Sequence, residues 1–250
     1  MTANEMAEEL ELKLDRNDSF SSPGYEDFDL SSVLTEAQHL YIKKFTGELN
    51  NRKRTGFEET ETRNQGLSAL INTATLPLSS AQTGVLTNGS FFDLPLNHMW
   101  TIYEICEIDK LVCGSTTDYI VGQIVPMGHN EITRLRKNKY KKPYFKSYGE
   151  AKIWRIAYAR EVSGILPSAA ATFKRHELIT DGTFNVTDYT IRYIKNPENI
   201  VVDRDTPTIQ RNCELDIATH VTIIDLAVDL TLQRVKEQKI QIADPFKEIE

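Results

Sequence analysis

The sharpest hypothesis of a metal site in this chain uses three cysteines and one histidine. Six residues separate Cys106 from Cys113, and six separate Cys213 from His220. Zinc knuckles place their paired cysteines about two to four residues apart, so both spacings are looser than a zinc site needs. We therefore expect no metal site and three inert thiols. A cysteine–histidine nucleophile needs no closeness in sequence, and nothing in the sequence selects one.

Motifs for catalysis are absent from the sequence. It contains no glycine-rich phosphate loop, no H-E-x-x-H motif, no EF-hand loop and no G-x-S-x-G elbow. The five histidines are scattered, and Asp203-Arg204-Asp205 is expected to form a solvated turn before Pro207. We predict that the chain is not an enzyme, has no catalytic residues and binds no cofactor.

A basic block lies in the middle of the chain, with no acidic residue between positions 134 and 146. It also contains Tyr140, Tyr144 and Phe145, and cations interleaved with aromatic side chains suit contact with a nucleic-acid backbone and base stacking. The plainer interpretation is a solvated helix end and loop. We call its seven cations the basic strip: Arg134, Arg136, Lys137, Lys139, Lys141, Lys142 and Lys146.

The first residues of the chain account for its net charge of −7. Residues 1–30 contain nine acids and two bases, and nine minus two gives the whole excess. Residues 1–33 are predicted to form a flexible acidic arm, because such a polar segment buries too little apolar surface to offset its ordering entropy. Its anchors on a partner would be Phe20, Tyr25 and Phe28. We expect the arm to dock on the basic strip unless DNA occupies that strip, and a tail without a role is the alternative.

The elements that must position these residues indicate an α+β fold with an N-terminal helical hairpin, a central antiparallel β region and a long C-terminal helix. The hairpin begins at the capping box Thr35–Gln38, and its second helix begins at Thr55. Asp181-Gly182 is the strongest signal for a β-hairpin. We predict a body at 34–237, followed by a tail at 238–250. The body consists of the hairpin at 34–74, a loop at 75–97, the β region at 98–212 and the helix at 216–236. The β region contains a short helix at 130–137, which is capped by Asn130.

The loop at 75–97 is expected to reach a neighbouring subunit. A loop of this length inside a compact domain is more often functional than idle. It contains Phe91 and Phe92, which would otherwise expose large apolar side chains to water. These two residues are the predicted loop contacts.

The sequence also argues against two cellular settings. No apolar run approaches the roughly 18–20 residues that cross a bilayer, so we expect no membrane partner. The N-terminus is acidic, whereas a secretory signal needs a basic stretch followed by an apolar one. Three cysteines cannot all pair with one another, which favours a reducing compartment.

Several stretches of the chain resemble a known family. They are Leu34–Gln38 with Phe57–Thr60, His129–Pro143, Tyr193–Ile200, and Cys213–Asp216 followed by His220 and Asp225–Val228. Over residues 34–235 the chain resembles virion structural proteins of crAss-like tailed bacteriophages, in particular the ring or head-to-tail connector subunits.

This resemblance implies a non-enzymatic subunit of a homo-oligomeric ring, which lies below the portal, links portal to tail and continues the DNA channel. Twelve copies are expected, because the rings of the family lie under a twelvefold portal. The implied partners are the portal protein, other tail and ring proteins, and packaged DNA bound without sequence specificity. The implied location is the virion, assembled in the host cytoplasm. The basic strip would then lie at a subunit interface or face the channel.

Two other functions stay open at this point. An accessory nucleic-acid-binding protein would use the block at 134–146, and its isolated subunits would bind tightly and in a salt-sensitive way. A small intracellular enzyme without a recognisable motif would have a deep pocket with perturbed titratable groups. A ring subunit would instead form a closed cyclic oligomer through heterologous contacts.

Overall fold

The chain folds into two compact units, one formed by Met1–Leu70 with Pro197–Glu250 and the other by Ile71–Asn196. The second unit is therefore inserted into the first. A computed structural model describes residues 1–17, 25–46, 65–79, 88–109, 120–138, 140–146, 150–158, 174–205 and 209–243.

The first unit is helical and begins with α1, Ala3–Asn17. The prediction of a flexible arm over residues 1–33 is wrong for this stretch, because its small and apolar residues recur at helical spacing and are buried. Helix α1 packs against the two other long helices of the unit, α2 and α4, which span Asp27–Thr46 and Ile217–Ala243. The buried face of α1 consists of Ala3, Met6, Ala7, Leu10 and Leu14.

Helix α2 begins at Asp27, eight residues before Thr35, so the predicted capping box does not start a helix. The hydroxyl of Thr35 instead accepts a hydrogen bond from the backbone N–H of Ile200, at 3.1 Å. It belongs to a polar stripe on α2 that binds the extended backbone of residues 198–204. The other contacts are the Gln38 amide donating to the Glu198 carbonyl, the Ser31 hydroxyl accepting from the Val202 N–H, and the Asp27 carboxylate accepting from the Arg204 N–H.

The second helix of the predicted hairpin lies partly outside the described residues. Residues 65–67 are helical and Ser68–Leu70 form a single 3₁₀ turn. The chain then enters strand β1, Ile71–Leu76, so the predicted helix end at Ala74 is wrong. Extended backbone is favoured here because Ile71 and Ala74 pair with Ile194 and Ile191 of a neighbouring strand.

The long C-terminal helix α4 is confirmed, although it extends beyond the predicted end at residue 236. The side chain of Asp216 accepts a hydrogen bond from the backbone N–H of Ala218, which satisfies one of the free donors at the helix start. Ile217 and Val221 are exposed and lie outside the buried face of this helix. That face consists of Thr219, His220, Ile223, Ile224, Ala227, Val228 and Thr231. Among the described residues, no helix is both long enough and apolar enough to span a membrane.

The second unit is an eight-stranded sheet. Its other strands are β2 Gly89–Asp93, β3 His98–Asp109, β4 Ile120–Pro126, β5 Tyr144–Lys146, β6 Glu150–Tyr158, β7 Arg175–Ile179 and β8 Asn185–Lys195. The hydrogen-bonded order is β1-β8-β3-β4-β6-β7-β2, with β5 added on β6. The α+β class is confirmed, but the sheet is not wholly antiparallel, because β4 and β6 run parallel.

Strands β7 and β8 are not hydrogen-bonded to each other, so the hairpin predicted from Asp181-Gly182 is wrong. The turn itself is present, and Gly182 adopts a φ of 85°, a left-handed conformation that glycine accommodates without strain. The two strands then pair with different neighbours. An antiparallel bridge between Leu78 and Phe92 joins the two ends of the strand order, so the curled sheet closes around its core.

The predicted loop at 75–97 is partly strand, and the loop contacts are corrected accordingly. Phe91 and Phe92 lie in β2, paired with β7, and both are buried within this chain. The Phe92 ring packs edge-on against Tyr189 with 5.2 Å between centroids, while Phe91 contacts Tyr158. These two side chains therefore need no neighbouring subunit to shield them from water.

A short helix, α3, Ile132–Arg136, packs against the outer side of β6 and β7. Its N-cap residue is Glu131 and makes no side-chain cap hydrogen bond, so the expected cap at Asn130 is wrong. Ile132 is buried in a cluster with Trp154, Ile156 and Ile179. This packing places the described cations of the basic strip over the outer surface of the closed sheet.

Candidate functional site

Four polar side chains form a closed circuit inside the sheet. The Arg155 guanidinium pairs with the Glu104 carboxylate at 3.1 Å, and both side chains are largely buried. Arg155 also contacts His176 Nε2 at 3.0 Å, and His176 Nδ1 lies 2.7 Å from the Tyr189 hydroxyl. The Tyr189 hydroxyl donates to Glu104 at 2.9 Å, which returns the circuit to its start.

The geometry of the circuit fixes the protonation of His176. A guanidinium cannot accept a hydrogen bond, so Nε2 of His176 accepts from Arg155 and Nδ1–H donates to Tyr189. Burial, with the positive charge of Arg155 next, lowers the pKa of His176 to about 3. Burial also raises the pKa of Glu104, although Arg155 opposes that shift. The circuit therefore contains a neutral histidine and one ion pair at neutral pH.

A second buried histidine, His98, lies beside the circuit, with 6.1 Å between its ring centroid and that of His176. Burial, with Lys174 and then Arg155, lowers its pKa to about 4. The nearby thiol of Cys106 faces the core and contacts the Gly122 carbonyl, and burial raises its pKa to about 12. Neither group is poised as a base or nucleophile at neutral pH.

The circuit lies where strands β3 and β4 separate. These strands pair only through Cys106–Ile108 and Ile120–Gly122, whereas β4 continues along β6 to Pro126. Arg155 of β6 thus reaches Glu104 of β3 across the gap that β4 leaves. The gap appears outside as a depression of about 460 Å³, lined by Ile102, Tyr103, Glu104, Val121, Gly122, Gln123 and Ile124.

The basic strip is brought together in part. Its two ends are neutralised, because Arg134 pairs with Glu131 at 3.1 Å and Lys146 pairs with Glu150 at 2.6 Å. The four residues Arg136, Lys137, Lys141 and Lys142 are exposed, and no ion pair to an acid is found for them among the described residues. Lys139 lies outside those residues.

The turn that presents the strip is held by specific hydrogen bonds. The Asn138 side chain accepts a hydrogen bond from the Tyr140 N–H at 3.0 Å. The Asn138 backbone carbonyl accepts from the N–H groups of Lys141 and Lys142. The indole of Trp154 donates to the Lys141 carbonyl at 3.1 Å. Tyr140 stands at the tip of this turn with 87% of its surface exposed.

The acidic residues of the first helices find cations in their own unit. Arg204 pairs with Glu11 at 2.8 Å and with Asp27 at 3.5 Å. Lys13 pairs with Glu9 and Asp225. The Asp203-Arg204-Asp205 turn is thus not merely solvated, because its arginine holds two carboxylates of the predicted arm. Three of the nine acids in residues 1–30 are thus paired within the first unit, and the docking of this segment on the basic strip stays a prediction.

The three predicted arm anchors are not brought together on the described surface. Phe20 lies outside the described residues, and Tyr25 is half-buried just before α2. Phe28 stands on α2 with 79% of its surface exposed. Of the two anchors that the structure describes, Phe28 exposes the larger aromatic surface to a partner.

The cysteines and His220 do not form a metal centre in the part of the chain that is described. No group of three or more histidine, cysteine or acidic side chains there is arranged to hold a metal ion. Cys113 lies outside that part. Burial raises the pKa of the Cys213 thiol to about 11, and His220 is buried with its Nε2 at 3.1 Å from the Leu215 carbonyl.

Comparison with known proteins identifies the class of protein. The family model described as phage tail ring protein 3/4 matches residues 1–241, and the chain belongs to this family. The resemblance to ring proteins of crAss-like phages is thereby confirmed.

Two relatives come from Bacteroides phage crAss001. Its "Ring protein 4/5" is 26% identical over 242 residues, which cover 92% of this chain and 92% of the relative. Its "Ring protein 3" is 24% identical over 216 residues, covering 83% of this chain and 84% of the relative. Both alignments span most of both chains, so the similarity includes both units of the fold.

Proposed function

We propose that this chain is a structural subunit of a ring in the virion, located in the connector between the portal and the tail. The observation that carries the proposal is the match of the ring-protein family over residues 1–241. The interior supports it, because the buried histidines and thiols have pKa values shifted away from those that catalysis needs at neutral pH. The proposed role is structural, so it requires neither catalysis nor a cofactor.

The ring is a homo-oligomer, and twelve copies match the portal symmetry that the family implies. Its partners are other ring and tail proteins and, at one end of the stack, the portal protein. A heterologous contact repeated around a closed circle uses two different surfaces of each copy. The bore of such a ring continues the channel through which the genome leaves the head.

The proposal is tested by locating the protein and by imaging it. Purified, DNA-filled particles should contain the chain in about the same copy number as the portal protein, measured by quantitative mass spectrometry. Negative-stain images of the recombinant protein should show rings. A chain that is abundant in infected-cell lysate but absent from purified particles contradicts the proposal.

DNA contact is the alternative role for the exposed cations of the basic strip. Arg136, Lys137, Lys141 and Lys142 supply exposed positive charge, which interacts with phosphates without sequence preference. An accessory DNA-binding protein would bind duplex DNA tightly as an isolated subunit, with affinity falling steeply as salt rises. A channel-lining ring would instead bind isolated DNA weakly, and a filter-binding titration at several salt concentrations separates the two.

A further inference from the structure

An acidic pair lies on the outer face of the sheet. Glu107 of β3 and Asp188 of β8 are directly opposite each other in the strand register. The preceding pair, Cys106 and Tyr189, points into the core, so Glu107 and Asp188 point outward. Asp109 follows on the same face and is exposed. We call Glu107, Asp109 and Asp188 the acidic face.

This pairing is unfavourable within one subunit. Like charges directly opposite each other on neighbouring strands destabilise a sheet. Among the described residues, no ion pair neutralises either carboxylate, and Arg192, which lies farther along β8, does not pair with them. The acidic face and the exposed cations of the basic strip are therefore complementary in charge, and neither is satisfied within this part of the chain.

The two surfaces also lie on different sides of the second unit. The acidic face lies between β8 and β3, whereas α3 and the strip cover β6 and β7. Seven strands form the continuous order, since β5 lies off this path, and the β8–β3 pair is three positions from the β6–β7 pair. The Leu78–Phe92 bridge closes the seven strands into a circle. The surfaces consequently face nearly opposite directions, as the two halves of a heterologous ring contact must.

We propose that the basic strip of one copy binds the acidic face of a second copy, so that this pair of surfaces forms the subunit interface of the ring. The proposal rests on the proposed function and names the surfaces through which the ring closes. Tyr140 enters the depression beside Tyr103 and Val121, both of which expose more than half of their surface. Lys141 and Lys142 then meet Glu107 and Asp188.

The form of the strip favours a protein partner over DNA. Tyrosine is enriched among the residues that dominate protein interfaces, and Tyr140 is presented on a turn fixed by Asn138 and Trp154. A turn ordered before binding loses little further freedom when it docks. The phosphates of packaged DNA are the rival occupant of the same lysines.

The experiment is a charge swap in the full chain. The variants K141E/K142E and E107K/D188K each place like charges across the interface, and we expect half-maximal ring assembly to need about tenfold more protein in each. The quadruple variant, which exchanges the charges, should restore assembly. Y140S should weaken assembly while leaving the melting temperature unchanged. Mass photometry and negative-stain imaging measure the ring fraction, and circular dichroism checks folding.

The control variant D205K/D229K carries the same change in net charge as E107K/D188K, at exposed positions of the other unit. It should assemble like the wild type. If E107K/D188K forms rings as well as the wild-type protein does, the proposed interface is wrong and the proposed function still stands. Loss of DNA binding in K141E/K142E with rings intact also overturns it and assigns the strip to DNA. A wild-type protein that forms no rings and is absent from virions contradicts the proposed function itself.

Discussion

Arg155 and Glu104 form a largely buried ion pair that joins β6 to β3 across the gap where β3 and β4 separate, with 3.1 Å between guanidinium Nε and carboxylate Oε1. The pair is closed into a circuit by His176 and Tyr189. The sheet thus replaces missing strand hydrogen bonds with side-chain contacts at this point. The first two predictions concern this circuit.

Replacing Arg155 with methionine should destabilise the second unit strongly. The substitution leaves the Glu104 carboxylate buried without its cation, and breaking such a pair costs about 3–5 kcal/mol. Both tryptophans of the chain, Trp100 and Trp154, lie in this unit, so their fluorescence during urea unfolding measures the effect. The matched double variant R155M/E104Q removes the charge as well and should recover much of the loss. Equal destabilisation in the single and double variants would show that the ion pair is unimportant.

Acidification should weaken the second unit before carboxylates titrate. The pKa values of His176 and His98 are lowered to about 3 and about 4, so the unfolded chain binds protons that the folded chain does not. Stability is thus complete above the ordinary histidine pKa of about 6.5 and falls as pH drops below it, by up to about 1.4 kcal/mol per pH unit for each histidine. Urea unfolding between pH 7 and 5 measures the slope. The variant H176Q should lose about half of it, and an unchanged slope would contradict the assignment.

Helix α1 should be held by burial rather than by charge. Leu10 is fully buried, and truncation to alanine costs about 2–5 kcal/mol at such sites. The Arg204 ion pairs to Glu11 and Asp27 are partly exposed, and pairs of this kind contribute about 0–1 kcal/mol each. Hydrogen exchange of the α1 amides should therefore accelerate far more in L10A than in R204A. The reverse order would mean that electrostatics dominates.

Replacing Phe28 with serine should spare the fold and impair assembly. The side chain is exposed on α2, so its removal changes the free energy of unfolding little. If it anchors a contact with another ring component, rings or virions should incorporate the variant poorly. The control is Leu30, which is buried on the same helix, since L30S should lower the melting temperature instead. Normal incorporation of F28S would remove Phe28 from the list of contacts.

Sequence patterns predicted the elements better than their partners. The C-terminal helix predicted at 216–236 corresponds to α4, because the spacing of its apolar residues is a local pattern. The predicted pairing of β7 with β8 failed, since Asp181-Gly182 specifies a turn while distant residues decide which strands pair. Helix α1 is not predicted, because the many acids of residues 3–17 indicate a solvated segment although its buried residues recur at helical spacing.

In the candidate sites, too, the local features are predictable from the sequence and the contacts between distant residues are not. The exposed cations of the basic strip are evident from the sequence, because an uninterrupted run of charge is local. Glu104, Arg155, His176 and Tyr189 lie on four different strands, and only the register of the sheet brings them together. The opposition of Glu107 and Asp188 likewise depends on a pairing across about eighty residues of chain, which no single stretch of sequence encodes.

The polar stripe of α2 has a consequence for how the protein is made. Its side chains bind backbone groups at positions 198–204, which follow Gln38 and Thr35 by 160 and 165 residues. A ribosome adds about 5–20 residues per second, so α2 emerges roughly 8–30 s before the segment that it binds. During that interval the buried side of α2 is exposed on the nascent chain. The inserted arrangement of the two units therefore delays completion of the first unit until the second has been synthesised.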